Sequence, residues 1–257
     1  HRYVICFNGE IYNHLDLRSD LGPRDWRGHS DTETLLECFD AWGVERTLEK
    51  ALGMFAIGVW DRTTDTLLLA RDRVGEKPLY YAITSARGSS YFIFASELSA
   101  FRNCELFEGR IDRNSLCRLL RYNYIPAPHT IFESVYKLIP GTSLRIGKKC
   151  PEPKTAPFWS ATAVFCSSHA GRQVTAPAQA VYELEELLRD AIRRQMVSDV
   201  PLGAFLSGGI DSSTVVALMQ SQSTRPVKTF TIGFTEREFD EAPFAKRVAT
   251  HLGTDHH

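Results

Sequence analysis

Ser207-Gly208-Gly209-Ile210-Asp211-Ser212-Ser213 stands between two apolar runs, Val200 to Leu206 before it and Thr214 to Met219 after it. The first run reads as a strand and the second as a helix, so the seven residues form the turn between them. Two adjacent glycines let the backbone turn tightly and bring its N–H groups close to a ligand. A helix starting near Ser212 aims its unpaired N–H groups and positive dipole end at the same spot. The stretch is an anion cradle. Ser207, Ser212 and Ser213 can add hydroxyl donors, and Asp211, a carboxylate beside bound phosphates, reads as a ligand for their magnesium ion. There is no lysine to reach a terminal phosphate, so this is not the G-x-x-x-x-G-K-[ST] loop. The plainer alternative is a glycine turn with Ser212 or Asp211 capping a helix. It explains less once all seven residues lie between a strand and a helix.

Working backward, a long amphipathic helix begins at Pro177, with Val181, Leu184, Leu188, Ile192 and Met196 at three- and four-residue spacing. Working forward, a strand from Val227 to Phe234 and a helix from about Glu241 to His251 continue the alternation. Strands alternating with helices predict a doubly wound parallel sheet, and such sheets bind ligands at the carboxyl ends of their strands.

The part ahead of Pro177 has a different character. A strand from Arg2 to Phe7 runs into Asn8-Gly9-Glu10-Ile11-Tyr12-Asn13, where Asn-Gly marks a turn. A helix follows to Leu21 and stops at Gly22-Pro23, and Ser30-Asp31-Thr32-Glu33 looks like a capping box opening a second helix to Trp42. Met54 to Trp60 with Thr66 to Ala70, and Leu79 to Thr84 with Tyr91 to Ala95, read as two hairpins. A short helix from Arg113 to Tyr122 and a strand from Thr142 to Ile146 complete a sheet-rich, largely antiparallel segment. The proline-bearing stretch from Cys150 to Ala178 reads as a linker. The resulting division is 1–150, a linker at 151–176, and 177–257.

The 257 residues suffice for one large or two ordinary domains. Lysine and arginine number 30 against 31 acidic residues, so no basic surface for nucleic acid is implied. No apolar run is long enough to cross a bilayer and no charged-then-apolar leader opens the chain, so a cytoplasmic setting is expected. Six scattered cysteines show no C-x-x-C spacing and are expected to be thiols. Cys6 fits a buried strand position, and Cys38 and Cys117 fit apolar helix positions. The chain opens at His1 inside a strand pattern and stops at His257 just after a helix pattern. It reads as cut at both ends.

The cradle resembles the SGGxDS pyrophosphate loop of ATP pyrophosphatases. Together with Asn8-Gly9-Glu10-Ile11-Tyr12-Asn13, Ala70-Arg71-Asp72-Arg73-Val74-Gly75, Lys77-Pro78-Leu79-Tyr80, Ala95-Ser96-Glu97-Leu98 and Thr229-Phe230-Thr231-Ile232-Gly233-Phe234, it resembles the glutamine-hydrolysing asparagine synthetases over nearly the whole chain. The resemblance implies an incomplete αββα glutaminase sandwich of the N-terminal nucleophile type. The start of a doubly wound parallel α/β ATP pyrophosphatase domain would follow it. It implies that the Asn8 amide and the Gly9 N–H form an oxyanion hole, and that Asn8, Gly9, Glu10 and Asp31 bind glutamine. From spacing alone, Asp31 equally fits a helix cap.

On the ATP side the same resemblance implies Phe205, Leu206, Ser207, Gly208, Gly209, Asp211, Ser212, Ser213, Ile232 and Gly233, with Mg2+ held by Asp211 through pyrophosphate. Phe205 and Ile232 fit a strand core nearly as well. Arg71, Asp72 and Glu97 receive no role beyond a salt bridge or a turn. His251, His256 and His257 do not have the spacing of a known metal site. Glutamine, aspartate and ATP are the implied substrates; the resemblance allows a homodimer and involves neither nucleic acid nor membrane. The family's nucleophile is an N-terminal cysteine, whereas residue 1 is His1, Cys6 lies inside a strand, and the upstream R-G-P-D segment is missing. The chain is therefore expected to be inactive as a glutaminase. The alternatives are a relative that amidates another carboxylate, or a nucleotide-binding module without catalysis.

Overall fold

Met54 to Trp60 carries no polar side chain, and the computed structural model buries this segment on both faces, with Phe55, Ala56, Ile57 and Val59 at 0 to 4% exposure. A strand of that kind needs a layer on each side. The structure describes residues 2–86, 88–148, 150–169, 176–198, 200–236 and 238–257. It divides into two compact units, His1–Gly171 and Arg172–His257.

The first unit runs β1 (Tyr3–Ile11), α1 (His14–Leu21), α2 (Asp31–Trp42), α3 (Val44–Lys50), β2 (Gly53–Asp61), β3 (Thr66–Arg71), β4 (Tyr80–Ala86), β5 (Ser89–Ala95), α4 (Leu98–Arg102), α5 (Arg113–Tyr122), β6 (Val135–Lys137), β7 (Thr142–Gly147), β8 (Cys150–Pro157) and α6 (Ala161–His169). Two antiparallel sheets result, one in the order β1-β2-β3-β7-β8 and one in the order β5-β4-β6. Alternation along β2 separates the layers. Phe55, Ile57 and Val59 pack with Leu17 of α1, Leu35, Cys38 and Phe39 of α2, and Leu48 of α3. Ala56, with Leu69 and Leu144, instead meets Leu79, Tyr81, Phe92 and Phe94 of the second sheet side. Gly58 lies on that same face, and a Cβ there would stand 2.9 Å from the Phe94 ring. The far side of β4 and β5 is covered by Phe101 of α4 together with Phe107 and Phe132. Helix, sheet, sheet and helix therefore stack in that order.

The second unit runs α7 (Pro177–Gln195), β9 (Gly203–Phe205), α8 (Ile210–Ser221), β10 (Lys228–Phe230), α9 (Ala242–Leu252) and β11 (Asp255–His256). Its three strands are parallel, in the order β11-β10-β9. Leu206, Val216, Ala245 and Ala249 form its core.

Several expectations are corrected. Asn8-Gly9 makes no turn: β1 continues through it to Ile11, because every residue from Tyr3 to Ile11 pairs with β2. Ser30 does cap α2, accepting from the Thr32 N–H at 3.1 Å. Glu33, however, does not reach back to Ser30, since its carboxylate takes the Arg27 and Gly28 amides at 2.7 and 3.0 Å. Residues 150–157 are not linker but strand β8, paired with β7. Cys6 and Cys117 are exposed, whereas Cys38 is buried. The strands expected at 200–206 and 227–234 shrink to three residues each. Val181 and Leu184, in the apolar stripe of the amphipathic helix α7, are 66% and 56% exposed.

Candidate functional site

In the first unit the chemistry gathers on the free edge of β1. Gly9 pairs with Phe55, whose carbonyl accepts the Asp72 N–H at 2.9 Å and whose N–H goes to the Asp72 carboxylate at 3.2 Å. Phe55 thus spends its backbone groups on the β3 side. By antiparallel alternation, Gly9 then points its N–H away from β2, off the sheet edge. Ile11, two residues on, shows the same direction: its N–H donates to Asp31 Oδ2 at 2.9 Å. A Cβ on Gly9 would stand 2.1 Å from the Met54 carbonyl oxygen, so only glycine lets the two strands approach this closely.

The Asn8 side-chain amide donates to Ser96 Oγ at 3.2 Å, just past β5. Asp31 begins α2, where the helix dipole favours an anion, and its second oxygen accepts from Thr32 Oγ1 at 3.4 Å. The carboxylate is thereby fixed beside the edge that carries Gly9. The surroundings are negative. Burial pushes the Tyr12 phenol up to about 12, helped by the carboxylates of Glu76 and Glu10. Burial holds the His14 imidazole below its usual range against the opposing pull of Asp31 and Glu10, and its Nδ1 is buried without a partner. A cationic ligand group suits this end of β1.

Arg71 and Asp72 serve a different purpose. The fully buried Asp72 carboxylate accepts the amides of Gly75, Glu76 and Lys77 at 2.6 to 2.8 Å, besides that of Phe55. The Arg71 guanidinium donates to the carbonyls of Gly75, Lys77 and Leu138 at 2.7 to 2.9 Å. Each ion is satisfied by backbone, and together they fold residues 71–77 into a locked turn. Glu97 merely accepts from Ser99 Oγ.

In the second unit Ser207 to Gly209 lead from β9 into α8. The Ser207 N–H donates to Ser212 Oγ at 3.2 Å, the two hydroxyls lie 2.9 Å apart, and the Gly209 N–H donates to Ser207 Oγ at 3.3 Å. Helical bonding starts only at Ser213, whose N–H reaches the Gly209 carbonyl at 3.0 Å, so the amides of Ile210, Asp211 and Ser212 have no intrahelical acceptor. Ser213 Oγ is buried without a partner. Gly208 has φ +81°, and a Cβ on it would lie 2.9 Å from the Ala245 amide nitrogen. Those are the requirements of a tight anion-binding turn. Asp211 stands exposed in the first turn of α8.

Phe205 and Ile232 flank the turn at 78% and 69% exposure and are not core, whereas Leu206 is buried at 1% and belongs to the core. Gly233 lies beside Asp240, whose carboxylate accepts the Phe234 and Ala242 amides at 3.3 and 3.2 Å. Among the described residues no group of three His, Cys, Asp or Glu side chains could hold a metal ion, so a cation at Asp211 would need phosphate oxygens as its other ligands. Ser96 is marked in the sequence only as part of the Ala95–Leu98 block, with no role of its own, and His14 is not singled out because nothing local marks it.

The family described as "Glutamine amidotransferase domain" matches residues 1–159, and that described as "Asparagine synthase" matches residues 183–257. A putative glutamine-hydrolysing asparagine synthetase of Mycobacterium tuberculosis is 37% identical over 99% of this chain and 38% of its own length. The glutamine-hydrolysing asparagine synthetase 3 of Bacillus subtilis is 32% identical over 99% of this chain and 42% of its own. A Penicillium rubens protein named amidase chyE is 30% identical over 97% of this chain and 38% of its own. The chain thus spans less than half the length of these relatives. With 159 of its 257 residues matched by the first family, the chain belongs to the glutamine amidotransferase domain family, and a segment matching asparagine synthase follows in the same polypeptide.

Proposed function

We propose that the full-length protein transfers the amide nitrogen of glutamine to an ATP-activated carboxylate, with aspartate the acceptor and asparagine, AMP and pyrophosphate the products. The observation that carries this reading is the presence, in one chain, of an amide-lined strand edge beside a fixed carboxylate and of a glycine–serine anion turn ahead of α8. In the first unit, which we assign to the glutaminase, the Asn8 amide and Gly9 N–H would stabilise the oxyanion that forms as the glutamine amide is attacked. Asp31, with Glu10 nearby, would pair the α-ammonium group. The attacking thiol is not Cys6, whose nitrogen is a mid-strand amide and offers no free amine as base.

In the second unit, assigned to the start of the synthetase, an oxygen of the aspartate side-chain carboxylate attacks the α-phosphorus and pyrophosphate leaves. Ammonia then attacks the acyl carbon, and AMP leaves. The unpaired amides at the head of α8, with the hydroxyl of Ser213, would hold the departing phosphates. Mg2+ held by Asp211 and phosphate oxygens would neutralise their charge. Phe205 and Ile232 would flank the adenine. A second reading is amidation of a different carboxylate by the same two units, since a relative of similar identity over 97% of this chain carries a name other than asparagine synthetase. Pyrophosphate release by the full-length protein separates them. Release that needs ATP and aspartate supports the first reading; ATP-dependent release indifferent to aspartate would sink it.

A further inference from the structure

The cradle from Ser207 to Ser213 has no cation of its own. Its donors are neutral amides and hydroxyls, its one ionised side chain is Asp211, and it lacks the lysine that reaches the terminal phosphate in G-x-x-x-x-G-K-[ST] loops. Helix α9 brings a cation to its side. Gly208 lies against the first turn of that helix, so closely that a Cβ on it would stand 2.9 Å from both the Phe244 carbonyl carbon and the Ala245 amide nitrogen. Ala245 and Ala249 anchor α9 in the core with Leu206 and Val216. Phe244, Arg247, Val248 and His251 recur at three- and four-residue spacing and line, with Gly208, a cavity of about 460 Å³. Among the described residues the side chains of Arg247 and His251, both exposed, have no hydrogen-bond or ion-pair partner. Arg247 follows Phe244 by an axial rise of about 4.5 Å, which an arginine side chain spans.

We propose that Arg247 supplies the cation the cradle lacks, its guanidinium donating to the terminal phosphoryl oxygens of ATP and then of the departing pyrophosphate. A guanidinium is always charged and offers paired N–H donors that match a phosphoryl group, which the imidazole of His251, a further turn away, does not. The inference rests on reading the second unit as the site of pyrophosphate release, and it adds selectivity to that site. AMP has no phosphoryl group to place in the cavity, so Arg247 favours a polyphosphate over the spent nucleotide.

Calorimetric titration of the full-length protein with magnesium pyrophosphate, and separately with AMP, reads the two parts of the nucleotide apart. Arg247→Ala is expected to weaken pyrophosphate binding on the order of tenfold or more and to leave AMP binding unchanged. Arg247→Lys keeps the charge without the paired donors and recovers part of the loss. Pyrophosphate binding that survives Arg247→Ala but is weakened by Ser213→Ala would overturn the role of Arg247 and leave the cradle standing. Equal losses of pyrophosphate and AMP in Arg247→Ala would overturn it as well, because they mark a disturbed fold and not a lost contact. A wild-type protein that binds no pyrophosphate would remove the reading of the second unit itself.

Discussion

Asn8 and Gly9 are adjacent but answer to different constraints. Gly9 is required by the backbone, since any side chain would collide with the Met54 carbonyl. Asn8 meets no such demand, and its amide is only oriented, by Ser96 Oγ at 3.2 Å. Replacing it therefore tests function with little cost to folding. In the full-length protein Asn8→Ala is expected to lower glutamine hydrolysis on the order of a hundredfold or more and to spare ammonia-dependent synthesis. Equal losses in the two assays would argue against the oxyanion role. Asp72 is the contrary case, a fully buried carboxylate that satisfies four amides. Asp72→Ala leaves those donors unmet and is expected to cost on the order of 3–5 kcal/mol, read as a fall in the urea midpoint. The Asn-Gly pair was legible in the sequence as special, though a turn was the wrong form of it, because local turn preference gave way to a full ladder with β2. The part played by Asp72 was not legible: it closes a turn on Phe55, 17 residues earlier in the chain.

Strands and helices were read well where their pattern is local. The α2 stripe, the β2–β3 hairpin and the β4–β5 hairpin declare themselves within a dozen residues each. Strand β8 did not, because Pro151, Pro153 and Pro157 argue against a ladder. They are tolerated because β8 lies at the end of the sheet, where one side of the strand needs no partner. The β1 end of the same sheet is tied differently. Asp61 at the end of β2 accepts two bonds from the Arg2 guanidinium, at 3.1 and 2.7 Å, which hold its carboxyl down at about 2 from an ordinary 3.8. A folded-state value below the unfolded one means that the carboxylate's contribution is complete above about 3.8 and is lost as pH falls toward about 2. Asp61→Asn should accordingly lower the urea midpoint at neutral pH, with the difference from wild type closing across that acid window. A difference that persists below it would show that Asp61 acts through packing instead of charge.

At the scale of the molecule, two units each have a core of their own, one layered around β2 and one around Leu206 and Val216. Residue spacing in the second unit announced the alternation of strand and helix correctly but did not fix burial: Phe205 on the parallel three-stranded sheet and Val181 on α7 remain exposed. Separate cores imply that damage confined to one site should leave the chemistry of the other intact. Asp211 is exposed at the head of α8 and supports no packing, so Asp211→Asn removes charge without disturbing the fold. If Asp211 holds magnesium through the phosphates, this variant of the full-length protein should lose most of its ATP- and aspartate-dependent pyrophosphate release while hydrolysing glutamine at close to the wild-type rate. Asn8→Ala should show the reverse. Unchanged pyrophosphate release in Asp211→Asn would remove the metal assignment while leaving the proposed phosphate cradle standing, because the amides of Ile210 to Ser212 lack intrahelical acceptors whether or not a carboxylate sits beside them.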